Sequence, residues 1–190
     1  MKTYLIFFDN DGVTATCSTW RNDTFLNDKM KEIRDLDIYK WNRLDKIMRH
    51  LSDECKVYAI CTSSWKSAFY KKVNINKLTK YANLQKIEIV PFEVGKRFSR
   101  REPGERIEVI HKALELYKPD DYIIIDDEFY PAFIDEGFHN IIKTDTYDGL
   151  LYQNYLYIDK IVDTWECSEK YRKEKKDYEE TLDLLISVAI

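Results

Sequence analysis

The stretch "YLIFFDNDGV" (residues 4–13) carries the clearest structural signal in the sequence. An apolar and aromatic run ends there at two acids spaced by one residue, Asp9 and Asp11, and Gly12 follows directly. A continuous apolar run of this length is typical of a central strand in a parallel sheet, because such a strand is buried on both faces. Side chains two residues apart on an extended chain point the same way, so the two carboxylates can share one site.

Further apolar, β-rich runs follow along the chain, and helical patterns separate them. The runs are "TYLIFF" (3–8), "KVYAIC" (56–61), "KIEIV" (86–90), "DYIIID" (121–126) and "HNIIK" (139–143). Amphipathic helical spacing is clearest at Trp41, Leu44, Met48 and Leu51, and again at Ile107, Ile110, Leu114 and Tyr117. Strands that alternate with helices predict an α/β fold with a parallel sheet, and we expect the first strand at its centre.

Polar side chains follow three of these runs at the point where each strand ends. Asp9 follows the first, Thr62 and Ser63 follow the second, and Asp126 and Asp127 lie at the end of the fourth. In open α/β sheets the ligand site lies beyond the carboxyl ends of the strands. The sequence therefore predicts that these acids and hydroxyls converge at one edge of the sheet.

Several carboxylates at one edge repel each other, and a hard divalent cation relieves the repulsion. Oxygen ligands with few nitrogens or sulfurs suit Mg²⁺. One acid can then attack a phosphorus atom while the next moves a proton. A basic side chain is needed to balance the developing charge, and "GKRFSRREPGER" (95–106) supplies candidates.

Each signal alone has an ordinary structural explanation. An acid pair can cap a helix, "NDG" can form a turn, and "TSS" can begin a helix. Their coincidence at successive strand ends favours a metal-assisted phosphoryl site.

The same residues resemble the motifs of a known family. "FFDNDGV", "YAICTSSW" and "YIIIDDE" resemble motifs I, II and IV of the haloacid dehalogenase (HAD) superfamily. More narrowly, the chain is similar to the HAD domain of Swiss-army-knife RNA-repair proteins over roughly residues 3–163. The stretches that carry this likeness are "TSSWK" (62–66), "RIEVI" (106–110) and "TDTYDGL" (144–150).

The resemblance implies a Rossmann-like three-layer HAD fold, Mg²⁺ as cofactor and phosphatase chemistry through an aspartyl-phosphate. An acid at Asp11 favours a phosphatase over a dehalogenase, because superfamily dehalogenases lack an acid there. The implied catalytic residues are the nucleophile Asp9, the general acid/base Asp11, the phosphate ligand Thr62 and the motif III cation Arg106. The implied metal ligands are Asp9, Asp11, Asp126 and Asp127.

Candidates for substrate contacts are Ser63, Lys66 and Lys96. Two departures from the family pattern matter here. Motif III is usually a lysine, so Arg106 fits by register whereas Lys96 fits by residue type. The family's tryptophan–arginine pair reads Trp65-Lys66, and a lysine cannot bind a phosphate through two parallel hydrogen bonds as arginine does.

The lengths of the segments between the motifs limit the size of a cap domain, and therefore the kind of substrate that the site can accept. The segment between Gly12 and Lys56 has about 45 residues. It is longer than a simple crossover connection needs but short for an independent cap domain. We therefore predict a capless or minimal-cap enzyme with an open site that acts on a nucleotide or a nucleic-acid terminal phosphate. Trp20, Arg21 and Trp65 could meet such a substrate by stacking and phosphate contact. The alternatives are a nucleotidase for free mononucleotides, since "ICTS" also resembles deoxyribonucleotidases, and a non-catalytic phosphate-binding or scaffold protein.

Composition sets the remaining expectations. A chain of 190 residues with net charge −4 fits one phosphatase domain (1–165) followed by a C-terminal helix (166–190). No stretch is apolar enough to cross a bilayer, and the N-terminal run is not a signal peptide, so we expect no membrane partner. The cysteines show no CxxC spacing, which predicts free thiols and a cytoplasmic location. They are Cys17, Cys55, Cys61 and Cys167.

Overall fold

A computed structural model describes residues 1–10, 12–15, 37–63, 72–92 and 103–177 of the chain. In these residues, helices cover both faces of a five-stranded parallel sheet with strand order β3-β2-β1-β4-β5. The strands β1 to β5 are Thr3–Phe8, Lys56–Cys61, Ile87–Ile89, Asp121–Asp126 and Ile141–Lys143. The helices α1 to α5 are Ile38–Met48, Lys72–Tyr81, Gly104–Tyr117, Tyr130–Asp135 and Tyr152–Asp163. The predicted α/β, Rossmann-like class is confirmed, and β1 is central.

Alternating side chains of β1 separate two hydrophobic layers. Tyr4, Ile6 and Phe8 face one layer, and Leu5 and Phe7 face the other. The first layer includes buried residues of α1 and α5, and the second includes buried residues of α3 and α4. Burial on both faces explains why the strand reads as an unbroken apolar run.

The register of the sheet brings three strand ends to one level. Phe8 pairs with Cys61 of β2 on one side and with Ile125 of β4 on the other. The residues that follow these three are Asp9, Thr62 and Asp126. The convergence predicted from the sequence is therefore confirmed.

Helix α1 is one turn shorter than its apolar spacing predicts. It begins after Asp37, whose side chain accepts hydrogen bonds from the backbone N–H groups of Tyr39 and Lys40, and it ends at Met48. Leu51 instead forms an isolated antiparallel bridge with Ser168. Leu51 is therefore buried in the core beyond the end of the helix.

The prediction of free thiols is wrong for two of the cysteines. Cys55 and Cys167 form a disulfide with a Cα–Cα distance of 6.3 Å, whereas Cys61 is free and buried. The pairing was not visible in the sequence because the two residues are 112 positions apart and meet only when the chain returns after α5. Since disulfides are rare in reducing compartments, cysteine spacing gives no support for a cytoplasmic location. Cys17 lies outside the described residues.

The C-terminal segment is helical over residues 169–177, the last part that the structure describes. Besides the disulfide, the Ser52 N–H donates to the Cys167 carbonyl at 3.0 Å, and the Glu169 N–H donates to the His50 carbonyl at 3.2 Å. The division at residue 165 stays a prediction. No helix of the described residues is long and apolar enough to cross a membrane. Residues 16–36, 64–71 and 93–102 are not described, so the absence of a large cap also stays a prediction.

A buried acid joins α1 to the start of β3. The carboxylate of Asp45 is fully buried and accepts hydrogen bonds of 2.8–3.1 Å from the backbone N–H groups of Gln85, Lys86 and Ile87. Arg49 also pairs with it at 2.7 Å. One side chain therefore satisfies three backbone donors that belong to a distant part of the chain.

We expect Asp45→Ala to lower the free energy of unfolding by about 3 kcal/mol or more, because buried donors lose their acceptor and Arg49 loses its partner. Asp37→Ala is the matched control, since it removes an aspartate from the same helix but only at its N-cap, where the loss is about 1 kcal/mol. Urea unfolding of both variants measures the difference. Equal destabilisation by the two substitutions would contradict the role assigned to Asp45.

Candidate active site

Two of the acids predicted from the sequence lie fully buried at the carboxyl edge of the sheet. Asp9 is 2% exposed and Asp126 is 0% exposed. The Asp9 N–H donates to the Ile125 carbonyl at 3.0 Å, which ties the end of β1 to β4. The Asp9 Oδ1 accepts a hydrogen bond from the Asn10 N–H at 2.7 Å. The sheet and the following turn thus fix the carboxylate of Asp9 in place.

Asp127 completes a cluster of three carboxylates. One oxygen from each of Asp9, Asp126 and Asp127 lies within 4.8 Å of the others. Three hard oxygen donors at this spacing suit a divalent cation such as Mg²⁺. The geometry therefore fits the divalent cation that the sequence predicts, and these three acids could hold it.

Arg106 places a positive charge between two of these acids. It belongs to the first turn of α3, and its Nη1 lies 2.7 Å from the Asp9 Oδ2 and hydrogen-bonds to the Asp126 Oδ2. Its guanidinium packs over the Phe129 ring at 4.5 Å, and its Nη2 lies 4.0 Å from a Glu128 oxygen. Although burial alone lowers the pKa of Arg106, the neighbouring Asp9 and Asp126 raise it, so the side chain stays charged.

One guanidinium does not balance the cluster. Burial raises the pKa of Asp9 to about 7; Arg106 opposes this shift, and Asp126 adds to it. Burial likewise raises the pKa of Asp127. Without a further cation, the nucleophile predicted from the sequence is therefore a weaker acid than an ordinary aspartate.

The hydroxyls after β2 make different contacts. The Thr62 hydroxyl donates to the Phe8 carbonyl at 3.1 Å, and the Ser63 side chain hydrogen-bonds to the Asp9 carboxylate. Both residues thus lie beside the end of β1. Their predicted roles in phosphate and substrate binding stay predictions.

Asp126 and Asp127 are oriented by separate contacts. The Asp126 Oδ1 accepts hydrogen bonds from the backbone N–H groups of Glu128 at 2.9 Å and Phe129 at 2.7 Å. The Asp127 carboxylate lies against Gly12, where a Cβ would stand only 2.2 Å from its Oδ2. Gly12 also has a φ of +69°, in the left-handed region that favours glycine. The glycine after the two acids therefore leaves room for a third acid.

Three site residues predicted from the sequence lie outside the described residues. They are Asp11, Lys66 and Lys96. The structure adds two threonines that the sequence reasoning did not assign, Thr144 and Thr146. They belong to the quoted "TDTYDGL" stretch, and the hydroxyl of Thr144 donates to the Gly12 carbonyl at 2.8 Å. Their residue types alone carried no signal, because hydroxyl residues are common in turns.

The raised pKa of Asp9 predicts how metal-free protein responds to pH. The folded-state pKa of about 7 exceeds the ordinary value of 3.8, so the folded state binds the proton more tightly than the unfolded state. The free energy of unfolding therefore falls as the pH rises between these two pKa values. Its slope is about 1.4 kcal/mol per pH unit, because the folded state keeps a proton that the unfolded state has lost.

We expect the free energy of unfolding of Asp9→Asn to rise relative to that of the wild type between pH 5 and pH 8, because the amide cannot ionise. The difference should reach on the order of a few kcal/mol. Denaturant unfolding of chelator-treated protein at both pH values measures it. A constant difference between the two proteins would show that Asp9 does not titrate in this range.

The comparisons with known proteins agree with this geometry. A family model described as the HAD domain in Swiss Army Knife RNA repair proteins matches residues 5–154. This range includes the described acids and Arg106. Searches of curated proteins and of solved structures give no significant match. Because the family model covers most of the chain, the protein belongs to the HAD-domain family of the Swiss Army Knife RNA repair proteins.

Proposed function

We propose that the protein is a Mg²⁺-dependent phosphomonoesterase that acts through an aspartyl-phosphate on Asp9. Family membership supports a HAD-type hydrolase. The observation that carries the finer proposal is the cluster at the sheet edge, where Asp9 meets Asp126, Asp127 and the guanidinium of Arg106. A buried nucleophile, acids for a cation and a fixed positive charge are the groups that phosphoryl transfer requires.

Bound among the three acids, Mg²⁺ would offset their repulsion and stabilise negative charge on the phosphoryl group. Asp9 needs to be ionised to attack phosphorus, and any positive charge placed beside it favours that form. The hydrogen bond from the Asn10 N–H holds the attacking carboxylate in one orientation. Arg106 contacts the same carboxylate and can balance the charge that develops near it.

The chemistry divides into two displacements. Asp9 forms a bond to phosphorus as the bond to the leaving oxygen breaks, and Asp11 gives that oxygen a proton. Water then attacks the phosphorus of the aspartyl-phosphate, Asp11 takes a proton from it, and the Asp9–phosphorus bond breaks. The products are an alcohol and inorganic phosphate, and both aspartates return to their starting state.

The proposed substrate is a nucleotide or a nucleic-acid terminal phosphate. The family description supports it, because the matching domain occurs in RNA repair proteins. The exposed ring of Tyr147 also supports it. Tyr147 follows Thr146, whose side chain hydrogen-bonds to Asp127, so an exposed ring on which a base can stack belongs to the segment that contacts this acid.

A panel assay tests the activity and the substrate together. With Mg²⁺, we expect turnover of oligonucleotides with 3′- or 5′-terminal phosphates to exceed turnover of sugar phosphates. Chelation should abolish activity, added Mg²⁺ should restore it, and Ca²⁺ should substitute poorly because its coordination is looser. Preference for free mononucleotides would favour the nucleotidase alternative, and phosphate binding without turnover would favour a non-catalytic protein.

We expect Asp9→Asn and Asp11→Asn to fail in different ways. Asp9→Asn should abolish both turnover and the covalent intermediate. Asp11→Asn should slow turnover but still form a phosphorylated enzyme with p-nitrophenyl phosphate, because its leaving group needs little protonation. Intact-mass spectrometry after rapid quenching detects the adduct. A phosphate adduct on Asp9→Asn, or normal turnover of esters with poor leaving groups by Asp11→Asn, would overturn these roles.

We expect Arg106→Ala to reduce kcat by on the order of 10²-fold or more. Lys96→Ala should reduce kcat less. The reason is that Arg106 contacts both Asp9 and Asp126. Arg106→Lys serves as a second variant in case the alanine variant folds poorly, because it keeps a positive charge at this position. The opposite ranking of the two alanine variants would move the motif III role to residues 95–101.

A further inference from the structure

The segment between β5 and α5, residues 144–150, is here called the 144–150 loop, and it fastens the turn that follows β1. The Thr144 hydroxyl is buried and donates to the Gly12 carbonyl at 2.8 Å. The Leu150 N–H donates to the Val13 carbonyl at 3.2 Å. Two hydrogen bonds therefore join this loop to the chain three and four residues beyond Asp9.

The same loop also reaches the metal-binding cluster. The Thr146 side chain hydrogen-bonds to the carboxylate of Asp127. Asp127 in turn lies against Gly12. Thr144 therefore contacts Gly12, Gly12 contacts Asp127, and Asp127 contacts Thr146, so this series of contacts begins and ends in the 144–150 loop.

The 144–150 loop is itself held in one conformation. Asp145 and Gly149 exchange two backbone hydrogen bonds, and the Asp145 carboxylate accepts from the N–H groups of Tyr147 at 2.8 Å and Asp148 at 3.0 Å. The Lys40 ammonium of α1 donates to the Asp148 carbonyl. Because the loop is braced from both ends, it can hold other groups in position.

We propose that Thr144 and Thr146 are positioning residues, Thr144 for the backbone turn that follows Asp9 and Thr146 for the Asp127 carboxylate. This inference rests on the proposed function, because it concerns the geometry of the same site. A buried hydroxyl is unfavourable unless it makes a hydrogen bond, and the Thr144 hydroxyl donates its hydrogen bond to the carbonyl of Gly12. Thr146 contacts Asp127 of the carboxylate cluster directly, and residues that hydrogen-bond to the ligands of a metal site commonly orient them.

Isosteric variants test each hydroxyl separately. Thr144→Val and Thr146→Val remove the hydroxyl and keep the shape, whereas Thr144→Ser and Thr146→Ser keep it. Thr164→Val is the matched control, since its hydroxyl also donates to a backbone carbonyl, that of Ile161 at 2.6 Å, but at the end of α5. The readouts are the Mg²⁺ dissociation constant by calorimetry, kcat and KM for p-nitrophenyl phosphate, and amide exchange over residues 9–15.

For Thr146→Val we expect the Mg²⁺ dissociation constant to rise about 10-fold or more, with Thr146→Ser near the wild type. For Thr144→Val we expect faster amide exchange over residues 9–15 and kcat lower by about 10-fold or more at nearly constant KM, with recovery in Thr144→Ser. Thr164→Val should change none of these quantities.

The two proposals fail in distinguishable ways. Wild-type Mg²⁺ affinity in Thr146→Val overturns the role of Thr146, and wild-type amide exchange in Thr144→Val overturns that of Thr144, whatever the activity. If the wild type binds Mg²⁺ but hydrolyses no phosphate ester, the proposed function falls while the affinity and exchange measurements still decide the role of the loop. If the wild type binds no Mg²⁺, the proposed function and the role of Thr146 both fall.

Discussion

The interaction on which the rest of the site depends is the pairing of one guanidinium with two buried carboxylates. Arg106 contacts both Asp9 and Asp126, and both acids are almost completely buried. The acids cannot move apart, because the apolar core fixes the register of β1 against β4. The hydrophobic packing of the parallel sheet therefore holds like charges close together at its carboxyl edge, which is electrostatically unfavourable. Arg106 offsets part of this cost, and Asp127 leaves the cluster with an excess of negative charge.

An excess of negative charge on oxygens at this spacing favours the binding of a further cation. The carboxylate oxygens lie close enough for a single ion to touch all three, and burial keeps water from screening their repulsion. Burial is the main cause of the raised pKa of Asp9, and the charge of Asp126 adds to it, so a proton can also neutralise this carboxylate. A proton and a divalent cation would therefore compete to neutralise the same carboxylates. A bound cation, unlike a proton, would leave Asp9 in the ionised form that the proposed attack on phosphorus needs.

The sequence predicted those parts of the structure that follow from local pattern. The bounds of β1, β2 and β4 agree with their apolar runs, because strands buried on both faces carry an unbroken apolar sequence. The approach of Asp9 to Asp126 followed from the rule that parallel strands end at one edge. Other contacts could not be predicted, because they join distant parts of the chain without a compositional signal. The disulfide of Cys55 with Cys167 is one example, and the hydrogen bonds that Asp45 accepts from backbone N–H groups before and at the start of β3 are another.

The two candidates for the site cation, Arg106 and Lys96, illustrate the same limit in physical terms. From sequence, Arg106 and Lys96 were both candidates, one by register and one by residue type. The structure places Arg106 in the first turn of α3, a helix whose buried face packs on the second hydrophobic layer. That packing aims the first turn at the carboxyl edge of the sheet, where Asp9 and Asp126 lie.

The order of the elements along the chain has a further consequence for how the site forms. Asp9 follows the first strand, but its charged neighbours come from residues more than 90 positions later, in the first turn of α3 and at the end of β4. The turn after β1 is secured later still, by Thr144 beyond β5. The repulsion between the acids therefore depends on the pairing of β1 with β4. In the folded protein, the burial of the core that holds these two strands together compensates for the repulsion at its edge.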